Sequence, residues 1–254
     1  MKKTIIANWK LNGNKKIITD FLLNVHRHLT KTELNSVNIV IAFPQIYLCL
    51  VKHIINDLDL NIHLCSQDVS YNSIGAFTGE VSIHMLKENF VKYVIVGHSE
   101  RRNFHNENNN IILKKFIKVK ESELIPILCV GENLKEKEMK QTELVLKQQI
   151  TKILDELGNT AFDNTIIAYE PVWAIGTGKS ASIEEVINIH KFIKKYIQYY
   201  TNNSIQSLSI YYGGSVNEKN IKMLSQQKDV DGLLVGNSSL NSEIFIKMIK
   251  NMIY

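Results

Sequence analysis

The chain has little of what secreted, membrane or metal-binding proteins use. Its 254 residues include three cysteines, at 49, 65 and 129, with no CxxC spacing and no cysteine–histidine set of the kind zinc takes. Each lies in an apolar stretch, which predicts buried, reduced thiols and a reducing compartment. Arginine is nearly absent, occurring only at 27, 101 and 102, so lysine carries most of the net charge of +5. No basic stripe with interleaved aromatic residues is present, which argues against nucleic acid as a partner and for a solvated, lysine-rich surface. A mild positive charge still helps to steer an anionic substrate. No run approaches the ~18 apolar residues of a membrane span, and the short Ile5-Ile6-Ala7 run after Lys2 and Lys3 is too brief for a signal peptide. The expectation is a cytoplasmic protein with no membrane partner.

What is present is repetition of a structural kind. Apolar, β-rich runs fall at 5–9, 37–43, 60–65, 91–97, 125–130, 165–169, 206–212 and 230–235. Between them lie longer segments of helical spacing, such as 15–29, 106–121, 134–157, 181–200 and 241–251. In 181–200, for example, Ile183, Val186, Ile187, Ile189, Ile193 and Ile197 share one helix face. Strands alternating with helices predict a parallel sheet covered on both faces, and eight such units predict closure. The fold expected is α/β, a single-domain (β/α)8 barrel over residues 1–254, since no linker or low-complexity stretch divides the chain.

Ten of the twelve glycines (13, 75, 79, 97, 131, 176, 178, 213, 214 and 236) fall at or just after strand ends. Gly158 reads as a helix C-cap and Gly232 lies within the last strand. Strand-to-helix loops all emerge on one face of such a barrel, the face that carries active sites. That face therefore has a mouth built largely of backbone.

The polar residues at the strand ends complement one another. The first strand delivers Asn8 and Lys10, the fourth His98, Ser99 and Glu100 after Gly97. The sixth runs into Glu170, placed at the last strand position because the residue before Pro171 favours extended backbone. Beyond it, "PVWAIGTGKS" mixes stiff and permissive residues, as a hinged lid requires. The seventh and eighth strands end in Gly213-Gly214-Ser215 and Gly236-Asn237-Ser238, the usual phosphate position of this fold. Each polar residue alone has an ordinary surface reading; three strands supplying three complementary roles is what raises the functional one. Gly178-Lys179-Ser180 is not a P-loop, because Trp173 stands where that motif needs glycine. His26 and His28, two apart on a helix, face different ways, and no metal ligand set is evident.

Seven blocks, in order, carry a resemblance: "NWKLNG" (8–13), "GAFTGEVS" (75–82), "VGHSERR" (96–102), "PILCVGE" (126–132), "AYEPVWAIGTGKS" (168–180), "YGGSV" (212–216) and "DGLLVG" (231–236). With these the sequence resembles the triosephosphate isomerase family along essentially its whole length. The resemblance implies a TIM barrel that interconverts dihydroxyacetone phosphate and glyceraldehyde 3-phosphate without a cofactor or metal, in glycolysis and gluconeogenesis. It implies Glu170 as the base, His98 as the neutral imidazole that polarises the carbonyl, and Lys10 and Asn8 as groups that stabilise the enediolate. Glu100 would orient this set. Gly176, Ser215, Gly236 and Asn237 would bind the substrate's phosphate, and closure of the loop after Glu170 would exclude water. The "GAFTGE" loop would interlock two copies into a homodimer, with Thr78 reaching toward the partner's site, and Cys129 would support the site from beneath.

One departure stands out. The family usually has two glycines after the eighth strand, where this chain has Gly236-Asn237. Asparagine keeps the N–H and tolerates left-handed backbone, but its side chain crowds the phosphate, so weaker substrate affinity with intact chemistry is expected. The wording of 66–74 also differs from the commonest form. Two other readings compete. A Schiff-base aldolase needs a lysine inside the barrel at a central strand end, where strand six offers Glu170. A sugar-phosphate binder without activity does not need the complete Asn8, Lys10, His98 and Glu170 set.

Overall fold

The eight expected strands form: Thr4–Asn8 (β1), Asn38–Ala42 (β2), Ile62–Ser66 (β3), Val91–Val96 (β4), Ile125–Val130 (β5), Thr165–Tyr169 (β6), Leu208–Tyr212 (β7) and Gly232–Val235 (β8). The computed structural model describes residues 2–175, 180–205 and 207–254. Each strand pairs in parallel with the next, and β1 pairs with β8, Thr4 opposite Gly232 and Ala7 opposite Val235, so the sheet closes into a barrel. Alternation of strands with helices makes this a single-domain (β/α)8 barrel.

Period-two alternation sorts the strand residues into two cores. Ile6, Val40, Ala42, Ile95, Ile127, Cys129, Ile166, Ala168, Tyr211 and Leu234 belong to the cluster inside the barrel. Their neighbours, such as Ile5, Ala7, Ile39, Ile41, Leu128, Ile167 and Leu233, pack outward against the helices. This alternation also positions the mouth. Asn8 continues the inward series after Ile6, Glu170 after Ala168, Gly213 after Tyr211 and Gly236 after Leu234.

Three departures from the sequence expectation have a local cause in the structure. The segment 134–157 is two helices, Leu134–Glu138 and Thr142–Leu157, because Lys140 turns left-handed (φ 56°) between them. The segment 106–121 becomes a helix only at Asn109, where the Asn108 side chain accepts the N–H groups of Asn110 and Ile111. The eighth strand begins at Gly232 because Asp231 is occupied in tying the chain to β7: its N–H donates to Ile210 O at 3.0 Å and its Oδ2 accepts from Ile210 N at 2.9 Å. Gly158 does end its helix, at φ 65°.

The thiols divide. Cys65 and Cys129 are buried, but Cys49 is exposed, against expectation. Helix Leu48–Asp57 turns Leu48, Val51 and Ile55 inward, and Cys49 falls one position off that stripe. Among the described residues no helix is long and apolar enough to cross a membrane.

Candidate functional site

Asn8, Lys10, His98 and Glu170 meet in one cleft of about 110 Å³ at the C-terminal mouth of the barrel. Its other lining comes from Gly213-Gly214-Ser215-Val216, Gly236-Asn237-Ser238, Ile175 and Leu234. The sequence expectation for Asn8, Lys10, His98, Glu170, Ser215, Gly236 and Asn237 thus converges spatially. Glu100 lies beside the cleft, bonded to Lys10. Gly176 lies outside the described residues, and Thr78 is on an exposed loop that does not line the cleft.

Glu170 follows β6 directly and still pairs as a strand residue does, donating its N–H to Val130 O at 2.7 Å. Its side chain is 3% exposed, and the carboxylate stands between two groups. Oε1 is 3.3 Å from His98 Nε2, and Oε2 accepts the Ser99 N–H at 3.4 Å. The approach is permitted by glycine on both sides: a Cβ at Gly131 would lie 1.8 Å from Glu170 O, and one at Gly213 would lie 2.8 Å from its Cγ. Cys129 lies beneath; burial first, and then the nearby Glu170 charge, push its thiol well above the ordinary range, so it stays an uncharged floor.

His98 caps the helix Ser99–Phe104, its Nδ1 accepting the Glu100 N–H at 3.2 Å. An accepting Nδ1 carries no proton, so the donor nitrogen of this arrangement is Nε2, which faces Glu170. The ring is therefore presented as a donor toward Glu170 Oε1 at the cleft.

Lys10 occupies a left-handed backbone conformation, φ 53°, unusual for a side-chain-bearing residue. The conformation is held from both directions. Its N–H donates to Asn8 Oδ1 at 3.0 Å, and its carbonyl accepts from Gln67 Nε2 at 2.9 Å. The ammonium contacts Glu100 Oε1 at 2.5 Å, and the Lys10 side chain runs past Gly236, where an added Cβ would stand 3.5 Å from its Cε. A strained, doubly clamped lysine delivers a fixed positive charge to the cleft.

Several supporting residues have no signal in the sequence. Gln67 also bonds Ala42 O at 2.9 Å, tying β2 to the Lys10 turn. Arg102 donates to Gly97 O, Asn109 Oδ1 and Cys129 O, bracing the ends of β4 and β5 together. Glu132 is buried and accepts the Tyr169 hydroxyl at 3.1 Å and the Trp173 indole N–H at 2.8 Å. Burial pushes the Glu132 carboxyl upward, and the indole N–H partly offsets it. Arg102 and Glu132 are visible in the sequence only as members of motifs and Gln67 only within the divergent 66–74; their partners lie on other segments. Among the described residues, no three or more His, Cys, Asp or Glu side chains are grouped to hold a metal.

Chemically, the arrangement holds a buried carboxylate beside a hydrogen-bond donor and a cation, with glycine-rich loops along the cleft. Comparison with known proteins agrees with that reading. Residues 3–252 match the model of the family Triosephosphate isomerase. The chain is 49% identical to the triosephosphate isomerase of Blochmanniella floridana, over 97% of this chain and 94% of that protein. Similar relatives are the triosephosphate isomerases of Buchnera aphidicola subsp. Schizaphis graminum, 49% identical over 98% and 97%, and subsp. Baizongia pistaciae, 50% identical over 98% and 99%.

Proposed function

The chain belongs to the triosephosphate isomerase family, and from that premise we infer which of its residues perform each step. The reaction is the interconversion of dihydroxyacetone phosphate and glyceraldehyde 3-phosphate. The Glu170 carboxylate removes a proton from the carbon beside the carbonyl of dihydroxyacetone phosphate. The C–H electron pair becomes the double bond of an enediolate, and charge develops on the former carbonyl oxygen. His98 Nε2–H donates to that oxygen and then moves protons between the two oxygens. Glu170 returns its proton to the neighbouring carbon, giving the aldehyde.

The observation that carries this assignment is the 3.3 Å approach of His98 Nε2 to a Glu170 carboxylate that is almost wholly buried. Burial keeps bulk water from the carboxylate, and Nε2 stands where one donor serves both the carboxylate and the cleft. Lys10 and Asn8 stabilise the enediolate charge, with Glu100 orienting Lys10. The N–H groups of Ser215, Gly236 and Asn237 take the phosphate, joined by Gly176 when the loop after Glu170 closes. We take residues 1–254 as a single domain.

A homodimer belongs to the same reading. Leu11, Ile46, Ile74, Phe77, Met85 and Phe104 are large apolar side chains exposed on this chain. Loop residues 71–80 hold two of them beside Thr78, and a second copy would cover them while bringing Thr78 to the partner's Asn8 and His98. Two buried free thiols suit a reducing, cytoplasmic setting.

The test is conversion of glyceraldehyde 3-phosphate to dihydroxyacetone phosphate by the purified protein, beside Glu170→Asp. Shortening the side chain withdraws the base by roughly 1 Å, which costs about a hundredfold in kcat. Equal turnover by the two proteins would remove Glu170 from the role of base.

A further inference from the structure

Lys137 lies outside the cleft, in the short helix Leu134–Glu138. Its Nζ stands 3.4 Å from the centroid of the Trp173 indole and 3.1 Å from Glu185 Oε1. Both contacts are made by one ammonium, and each touches the chain on a different side of the stretch that follows Glu170.

Trp173 is on the near side, in the turn Val172–Ala174, three residues beyond Glu170. Its indole N–H is fixed by Glu132, so the ring presents its face in one orientation. An ammonium over an indole face is the favourable geometry for a cation–π contact. Glu185 is on the far side. Its Oε2 accepts the Ser182 N–H at 2.8 Å while the Ser182 side chain accepts the Glu185 N–H at 3.1 Å, a capping box that starts helix Ile183–Tyr200. The Glu185 carboxylate therefore caps with one oxygen and holds Lys137 with the other. Lys137 is about one-third exposed, so its contacts are partly shielded from solvent.

We propose that Lys137 is a positioning residue for the isomerisation, coupling Trp173 to Glu185 and so holding both ends of the stretch after Glu170 in one arrangement. This rests on the proposed isomerase reading and adds a residue that touches neither substrate nor the reacting groups. Glu170 is joined to Trp173 through Pro171 and Val172, and the Val172 N–H is held by Glu132 O at 3.0 Å. Displacement of the indole therefore has a short, stiff route to the carboxylate.

The experiment uses the full chain with Lys137→Met, which keeps the side-chain length without the charge, and Lys137→Arg, which restores a cation able to stack on indole. Steady-state kcat and KM, thermal unfolding and tryptophan emission are measured for each, with and without saturating dihydroxyacetone phosphate. Trp9, the other tryptophan, is buried in the core and serves as a constant background. Expected is a kcat lowered about three- to tenfold in Lys137→Met. KM should move less, emission should shift, and Lys137→Arg should recover both kcat and emission. Glu185→Gln added to Lys137→Met should lower kcat little further, since the coupling is already gone. Wild-type kcat and emission in Lys137→Met would overturn the proposal, as would a kcat loss that Lys137→Arg does not recover. Absence of turnover in the wild-type chain would refute the isomerase reading instead; the emission comparison would then still decide whether Lys137 holds Trp173, with unchanged emission overturning the coupling.

Discussion

Gly213 and Glu170 are packed so closely that a Cβ on Gly213 would stand 2.8 Å from the Glu170 Cγ and 3.5 Å from its Oε1. The glycine does not have a left-handed φ, so its absence of a side chain serves space rather than backbone freedom. Gly213→Ala should push the carboxylate from its place by a fraction of an ångström to an ångström. Steady-state kinetics should show kcat lowered about ten- to a hundredfold, with thermal unfolding little changed. Retention of kcat would mean that Glu170 is placed by other contacts.

Asn237 begins the turn Asn237–Ser239 and is exposed at the end of the cleft proposed to take the phosphate. It is not among the left-handed residues, so the backbone accepts asparagine here without strain and the effect of the side chain is one of crowding alone. Asn237→Gly should lower KM several-fold and leave kcat as it is. An unchanged KM would refute the crowding idea.

His190 titrates in the wrong environment for an imidazolium. Burial pushes it down to about 4. Its Nδ1 bonds Asp229 O at 2.9 Å, and its Nε2 is without a partner among the described residues. The Tyr169 ring packs edge-on, Asp229 is held by Lys191 at 3.6 Å, and the charges of Asp231 and, less, of Asp229 only partly offset the burial. Since the unfolded imidazole has a value near 6.5, the unfolded chain binds the extra proton between about pH 6.5 and pH 4. Stability should therefore fall as pH falls through that window, by on the order of 3 kcal/mol from this residue. His190→Asn keeps a donor for Asp229 O and removes the titration. Its thermal midpoint should start lower at pH 7 and decline less steeply toward pH 4.5 than that of the parent chain.

Phe77 and Ile74 are 46% and 93% exposed on the loop that carries Thr78. Phe77→Asp places a charge where a second copy would bury apolar surface. Sedimentation should show the parent as a dimer and the variant as a monomer with much reduced turnover. A dimeric, fully active variant would place the interface elsewhere.

The strands were legible because period-two alternation and β-branched runs are local signals, and all eight appear with edges shifted by at most two residues. The helix break at Lys140 was not legible, since a left-handed lysine has no sequence mark that glycine would have given. Asn8, Lys10, His98 and Glu170 were legible as strand-end polar residues, and their cleft joins them as the motifs required. Gly213 was read only as part of a phosphate loop, yet it also seats the carboxylate. His190 replaces an aliphatic residue on the buried face of its helix, and nothing in that face's spacing distinguishes it from the isoleucines around it.

Closure of the barrel joins β1 to β8, the first strand made to the last. Asn8 and Lys10 are therefore synthesised long before β8, the strand that completes their surroundings, with the six other strands made in between. At roughly 5–20 residues per second, β1 waits on the order of tens of seconds with one edge unsatisfied. During that interval the unpaired edge along Ile5-Ile6-Ala7 is open to any other nascent strand.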